Sequence, residues 1–515
     1  MIDTSAQNAL KNSVYNFLGF LLPIAIMIVV TPIIIAKLGV KEYGIYIFLN
    51  TVVVFLGLLD LGVSVANSKH IIEYHSINRE DLLKKLIYSM NSVYLILAFI
   101  YFFVCVCTGL VIQMFFLRAG AQDNYFLLFL IIGLTSFVGA TFTNFICIIT
   151  TIQRYDLQLK ISVTFIVLNN LSMLILALLG YKLVPILLSQ LLLALLAGLT
   201  YYWYDRKIFP VMRFKYAWDK KEILKNYKFG LSVTFNNLAS SSLVHFDKLL
   251  VPIFLGNAQL TYYSVPGSIA TKISNISDVF STVLFPITVN LHSLNQLDHI
   301  RRVYIRSIRL ITILAAAISF SIIFMADKIL LYWLDQSFVK QSVDVLILLV
   351  MTNFVLALFN PLSNLLMAMN KMKFLTLGSV IMAVINIVAL FILLPRYGIN
   401  GAAAAYLIAT LFIFYMFFFA ERKYFGINHL KEHIKLYLKI FVTAIPFFAI
   451  EHFLLYPLIT SFLTVIIIGP LCVVLYMLLY KLFGFFEAED WNDFMIFFNR
   501  ALNRFGFRGI KSISN

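Results

Sequence analysis

The chain has 515 residues, of which 61% are apolar and 12% charged, at a mean hydropathy of +0.92. A soluble domain carries about a quarter charged residues, whereas repeated apolar runs of roughly 18 or more residues, each long enough to cross a bilayer as a helix, give a balance of this kind. The composition argues for an integral membrane protein and against a soluble enzyme. The net charge of +16, from 40 Lys+Arg against 24 Asp+Glu, reads as basic loops facing anionic lipid headgroups and not as a nucleic-acid surface.

In chain order, the first twelve residues are polar, and the apolar run after them lacks a small-residue cleavage site before Lys37. The first span is therefore expected to be retained. Hydropathy and interrupting charges predict spans over 13–36, 45–66, 86–115, 126–150, 161–180 and 183–204. A second set follows over 229–254, 262–290, 310–333, 343–368, 374–395 and 401–420, and a last pair over 440–457 and 459–482. The expected fold is thus all-α, with about 14 transmembrane helices. With the N-terminus cytoplasmic, 31 of the 40 Lys+Arg fall in cytoplasmic segments, 6 in external loops, and Lys248, Lys272 and Lys328 within spans. That bias fits the positive-inside rule and predicts both termini in the cytoplasm.

The boundaries that follow are an N-terminal six-helix bundle over 1–204, a cytoplasmic linker over 205–228, a C-terminal six-helix bundle over 229–420, a further transmembrane pair over 421–483 and a cytoplasmic tail over 484–515. The linker holds eight basic and three acidic residues. The tail places Trp491, Phe494, Met495, Phe498, Leu502 and Phe505 on one helical face, the pattern of an interfacial helix. Cys105, Cys107, Cys147 and Cys472 lie inside apolar runs, without metal-site or disulfide spacing.

Sliding the chain on itself by about 217 residues aligns Leu38-Gly39 with Leu255-Gly256, Tyr46 with Tyr263, and Asn169 with Asn386. Each half thus repeats one six-helix plan in the same orientation, a parallel pseudo-repeat. Paired bundles of this kind enclose a cleft that opens alternately to either face, which favours secondary transport over a channel or an enzyme.

Charge inside a membrane costs about 2.5–3.5 kcal/mol per residue at a helix centre, so each instance calls for a partner, a water-filled cavity or an interface. At 100° per residue, Ser264, Ser268, Thr271, Lys272, Asn275, Asp278 and Thr282 fall within about a third of the circumference of the eighth span. On the seventh, Thr234, Asn237, Ser241, His245 and Lys248 share a narrow arc, with Asn236, Ser240 and Asp247 on an adjacent one. Asp60, Ser64 and Asn67 follow i, i+4, i+7 on the second. Three polar stripes suggest a hydrated cavity. Lys248 and Lys272 are candidates for an anionic substrate headgroup, because an ammonium in a low-dielectric cleft attracts phosphate far more strongly than at a surface. The alternative is that Lys272 pairs with Asp278 and Lys248 with its own neighbours. Asp60, Asp247 and His245 are candidate counter-ion or coupling sites, and Arg306 and Arg309 could meet a phosphate at the inner mouth. Asn169 and Asn386 are expected to hold helices together, and Glu451 and His452 to sit at the external interface. Pro252 and Pro266 are candidate bends.

No nucleotide-binding loop, dinucleotide turn or HExxH motif occurs, so no cofactor is expected. A transporter of this plan would draw on a proton or sodium gradient or the membrane potential.

Several stretches resemble a known family: IIIAKLGVKEYGIY (33–46), LLDLG (58–62), DKLLVPIFLG (247–256), ILLYWLDQSF (329–338) and MAMNKMKFLTLGSVIMAVINIVALFILLPRYGINGAAAAYLIA (367–409). They resemble the Wzx-type polysaccharide transporters of the multidrug/oligosaccharidyl-lipid/polysaccharide exporter superfamily. The resemblance implies a V-shaped, alternating-access pair of bundles in a bacterial inner membrane. Its substrate would be an undecaprenyl-pyrophosphate-linked oligosaccharide, flipped to the outer leaflet for O-antigen or capsule synthesis. Membrane lipids are implied partners, and a polysaccharide polymerase and chain-length regulator are admitted; nucleic acid is not. Two alternatives stay open: a lipid II flippase, which shares the span count although no arginine-rich first and second spans occur here, and a cation-coupled multidrug exporter, although the first span contains no acid.

Overall fold

The computed structural model describes residues 23–486 apart from 24, 61, 78, 119–123, 152–153, 209–213, 283, 295 and 427–429, with the backbone alone at some further positions that include 228–237, 239 and 240. The amphipathic tail from Trp491 onward and the start of the first span lie outside the described residues. Among the described residues the regular structure is helical, with no strand.

The helices are α1 (Ala25–Leu38), α2 (Val40–Gly57), α3 (Val63–Ser76), α4 (Glu80–Arg118), α5 (Tyr125–Thr151), α6 (Tyr155–Leu178), α7 (Leu183–Ile208), α8 (Lys220–Leu255) and α9 (Asn257–Thr282). After them come α10 (Leu284–Ser293), α11 (Leu297–Phe324), α12 (Ala326–Trp333), α13 (Gln336–Ala368), α14 (Met372–Thr410), α15 (Phe412–Ala420), α16 (Leu430–Ile450) and α17 (Phe462–Leu482). Among the described residues 10 helical segments are long and apolar enough to cross a membrane. One of these, Met372–Phe425, contains the two spans expected over 374–395 and 401–420, divided at Gly398, whose φ of 59° and ψ of −142° leave the helical region. Such a conformation costs an L side chain far more than glycine. α8 and α9 are helical throughout but are not among the 10 apolar segments, because polar residues recur along them.

The second predicted span is broken. α2 ends at Gly57, Leu58–Asp60 form a 3₁₀ turn, and α3 starts at Val63 after Gly62 with φ of 70°. The two aligned Leu-Gly corners share one geometry: Gly39 has φ 87° and ψ 156°, Gly256 φ 88° and ψ 164°, and each precedes a helix. Their N–H groups bond back to the carbonyls of Ile35 and Pro252, four residues earlier.

The chain forms two compact units, one up to Thr261 and one from Tyr262. In the first, α4, α5 and α7 pack closely, as membrane helices do where small residues let backbones approach. Gly198 of α7 faces the Phe142 ring of α5, and Gly133 of α5 faces Cys105 of α4. Phe142, Phe145, Ile149, Ile161 and Tyr201 form a buried cluster. The predicted linker joins it: Phe214 lies 4.8 Å from the Phe145 ring and 4.6 Å from that of Tyr202. Residues after Phe214 are tied to α4, with Ala217 N–H donating to the Tyr88 carbonyl, Asn91 Nδ2 to the Lys215 carbonyl and Ser92 Oγ to the Ala217 carbonyl. Asp219 then caps α8 by accepting from the backbone N–H groups of Lys221 and Glu222. α8 packs on α2, α3 and α4.

In the second unit α11, α13 and α14 form the centre and α17 packs on α11. Phe320 of α11 contacts Phe448 of α16 and Tyr476 of α17, which seats the last helix pair against it.

Candidate functional site

The break between α2 and α3 sets Asp60 at a helix start. Its Oδ2 accepts from the Ser64 backbone N–H at 3.1 Å and from Ser64 Oγ at 2.6 Å, so the carboxylate caps α3. Oδ1 is buried and meets no hydrogen-bond donor among the described residues. Tyr94 and Tyr101 of α4, Tyr227 of α8 and Cys147 of α5 lie within electrostatic reach of this carboxylate. One oxygen of the aspartate is therefore spare, and groups on three helices feel the charge of its carboxylate. The tyrosines escaped the sequence reading because they lie 34, 41 and 167 positions beyond Asp60, on helices whose rotation about their axes only packing decides. Asn67, next on the same stripe, donates to Asn144 Oδ1 at 2.7 Å, and Asn144 donates to Asn91 Oδ1 at 2.7 Å, a buried relay across α3, α5 and α4.

At the far end of α3 a polar cluster joins it to α8. Tyr74 OH donates to the Glu222 carboxylate, 3.0 and 2.9 Å from its two oxygens, and Lys225 Nζ lies 3.2 Å from the same hydroxyl and 3.6 Å from Glu73. His70 Nδ1 meets Glu73 at 2.9 Å. The hydrogen bond from His70 and the charge of Lys225 hold the Glu73 carboxyl below its usual range, and burial pushes the Tyr74 phenol up.

On α8, Ser241, His245 and Lys248 are half-buried on one arc. Lys248 Nζ lies 3.5 Å from His245 Nδ1, a neutral partner and not an anionic one. Asp247 stands about 100° round the helix from Lys248. It is 2% exposed, with Oδ1 accepting the backbone N–H of Lys248 at 2.7 Å. The structure therefore brings Lys248 and His245 together and turns Asp247 into the packed side. The side chain of Asn237 lies outside the described residues.

On α9 one face binds α13. Ser274 Oγ donates to Asn353 Oδ1 at 2.8 Å, Ser277 Oγ to the Ala357 carbonyl at 2.6 Å, and Asn360 Nδ2 to the Ser274 carbonyl at 2.9 Å. The predicted stripe lies about a third of a turn away. There Ser264, Ser268, Thr271 and Lys272 are half-buried, and Asn275 and Asp278 exposed. Ser268 and Thr271 turn their hydroxyls back to their own helix, onto the carbonyls of Val265 and Ser268. Lys272 and Asp278 make no hydrogen bond or ion pair among the described residues, with each other or otherwise. Arg306, on α11, is half-buried with its Nε shielded.

Two expectations change. Glu451, expected at the external interface, is fully buried inside the protein. Ile440, Ala444 and Phe447 form one buried stripe of α16 that Glu451 continues at the start of the following π-turn, with Glu451 beside Cys472 of α17. Asn169 bonds the Phe165 carbonyl of its own helix and bridges to no other among the described residues. A third feature had no counterpart in the sequence reading: Glu421, 3% exposed, accepts from Tyr304 OH at 2.8 Å and meets His433 Nε2 at 2.5 Å, joining α11, the end of α15 and α16. An acid closing the run FIFYMFFFA, with a histidine 12 residues later, was its only trace.

A multi-pass, all-α membrane protein with polar stripes on otherwise apolar helices has the build of a transporter. Residues 34–343 match the family described as polysaccharide biosynthesis protein, and the chain belongs to that family. Over 416 residues it is 21% identical to a Shigella flexneri protein named "Putative O-antigen transporter", covering 78% of this chain and 95% of that one. The fold is that of a lipid II flippase, MurJ, in an inward closed conformation, at a TM-score of 0.70 and 15% identity over 91% of this chain and 98% of that one. It is also that of an inward-facing multidrug resistance MATE family transporter of the MOP superfamily, at 0.61 and 14% over 81% and 94%. These findings bear out the resemblance to Wzx-type polysaccharide transporters.

Proposed function

We propose that the protein flips an undecaprenyl-pyrophosphate-linked oligosaccharide, an O-antigen or capsule repeat, from the cytoplasmic to the outer leaflet of a bacterial inner membrane. A glycan head is too polar to cross hydrocarbon unaided, whereas its polyprenyl tail can stay in lipid while the head passes a hydrated path. The observation that carries this reading is Lys272, half-buried among hydroxyls and amides on α9 with no anionic partner among the described residues. An ammonium placed so in a membrane protein calls for an anion from outside the chain, and a pyrophosphate supplies one. Lys248, whose side-chain partner is an imidazole, is the second headgroup candidate, and Ser241, Asn237, Asn275, Asp278 and Arg306 are the further candidates that the polar stripes of the sequence supply.

The bundles work by alternating access, with both termini cytoplasmic. Asp60, with its spare oxygen, is the coupling or counter-ion site, and His245 and Asp247 are secondary candidates. Outward movement of a pyrophosphate is electrically favourable with the inside negative, by about 2.3 kcal/mol per charge per 100 mV. A polymerase and a chain-length regulator would receive the product.

The test is deletion of the gene and analysis of lipid-linked glycans in the host, with complementation by the parent chain and by Lys272→Ala. Build-up of an O-antigen or capsule repeat, cured by the parent and not by the variant, supports the reading. Accumulation of lipid II would establish the peptidoglycan alternative, and unchanged glycans with raised sensitivity to cationic drugs would establish drug export.

A further inference from the structure

α15 ends in a π-turn, Glu421–Phe425, and the chain reverses through Gly426, at φ 63°, toward α16. Between the two helices lies a cavity of about 260 Å³ walled by Phe414, Phe417, Phe418, Ile434 and Tyr437. Its polar floor is Glu421 with His433. That floor is already satisfied, because Tyr304 donates to the carboxylate and His433 lies against it, so it calls for no external cation. The walls are open to the outside: Phe414 is 41% exposed and Ile434 49%. The volume falls below the roughly 300–1,000 Å³ of a site that encloses a whole drug-sized ligand, so the cleft suits a stretch of hydrocarbon chain.

Most of the charge beside the cleft is basic, with Glu432 the exposed acid on the first turn of α16. The Arg422 guanidinium lies 4.1 Å from the centre of the Phe418 ring, at the edge of the cleft, and Lys423 Nζ lies 5.1 Å from that of Phe419. Lys431, one turn before Ile434 on α16, is exposed, as is Lys435. None of these four cations has a carboxylate partner among the described residues.

We infer that the α15–α16 cleft seats an anionic phospholipid, with one acyl chain between Phe414, Phe418 and Ile434 and the headgroup phosphate at Arg422 and Lys431. An apolar slot ending at unpaired cations has the chemistry of a chain ending in a phosphate. Basic side chains near a membrane surface each contribute about 1 kcal/mol toward anionic lipid, about fivefold in affinity.

The test uses the full chain in nanodiscs with Ile434→Trp as reporter, the parent's four tryptophans supplying the background. Brominated phosphatidylglycerol should quench the reporter at a several-fold lower mole fraction than brominated phosphatidylcholine. Arg422→Gln with Lys431→Gln should reduce that preference about fivefold per charge removed. Equal quenching by the two lipids overturns the assignment. So does relief of quenching by one undecaprenyl phosphate per protein, which would give the cleft to the carrier lipid. Independently of the reporter, native mass spectrometry of the parent chain should show more retained phosphatidylglycerol than the double variant; equal retention counts against the site.

Discussion

Lys272→Gln separates a substrate contact from a structural charge. The side chain is half-buried and has no ion pair or hydrogen bond among the described residues, so neutralising it leaves no orphaned partner. Folding should not suffer: the thermal midpoint should stay constant or rise, since a partly desolvated charge has been removed. Binding should suffer, because a hydrogen bond between an ammonium and a charged phosphate contributes about 1.5–3 kcal/mol, roughly tenfold to a hundredfold in affinity. Lys272→Arg, which keeps the charge, should recover part of the loss. The assay is transfer of a lipid-linked oligosaccharide across proteoliposomes, read beside membrane abundance and thermal midpoint. Parent-like transfer by Lys272→Gln would refute the headgroup role, and a lowered midpoint with normal transfer would show a structural ion pair instead.

Three further outcomes are expected. Tyr74→Phe deletes the hydroxyl that donates to Glu222 but keeps the ring under Lys225; a loss of about 1 kcal/mol should lower the thermal midpoint by about 2–4 °C, and no shift would mean that α3 and α8 are held elsewhere. Glu73 sits below its usual carboxyl range through His70 and Lys225, so its contribution is complete above the unfolded value of about 4.3 and is lost as pH falls through the lower folded value. The midpoint difference between the parent and Glu73→Gln should therefore be present at neutral pH and vanish in acid, and a difference that grew on acidification would contradict the assignment. Gly44→Ala would drive a Cβ into the Asn257 carbonyl oxygen, a backbone atom with little room to move, and should cost at least the roughly 1–3 kcal/mol of core overpacking; Gly57→Ala, with nothing within 4 Å, should accumulate normally in the same membrane fractions.

The apolar spans were legible as long runs without charge, and the stripe on α9 as a period that can be counted along the chain. The interruption at Leu58–Gly62 was less so: LLDLG reads as apolar sequence with one acid, and only the backbone reveals that Asp60 caps a new helix. Glu451 was assigned from its position along α16, near an end, when the deciding variable was its angle on the stripe of Ile440, Ala444 and Phe447. The docking of Phe214 and Ala217 onto the first unit was hidden by composition, since a run rich in lysine and arginine looks like free linker whether or not its aromatic residues find a surface. Glu421, Tyr304 and His433 span more than a hundred residues of sequence, and nothing in local pattern couples groups that far apart.

The polar groups of this protein fall into three states, and the proposed function places substrate chemistry in the third. Ser268 and Thr271 return their hydroxyls to their own helix, which removes the cost of burial without requiring a partner. Asn67, Asn91 and Asn144, or Glu421 with Tyr304 and His433, satisfy one another across helices and so hold those helices together. Lys272 and the spare oxygen of Asp60 do neither among the described residues. On the proposed function each would be met by something that arrives, an anionic headgroup at the ammonium and a cation or proton at the carboxylate. A flippase that couples the two needs both.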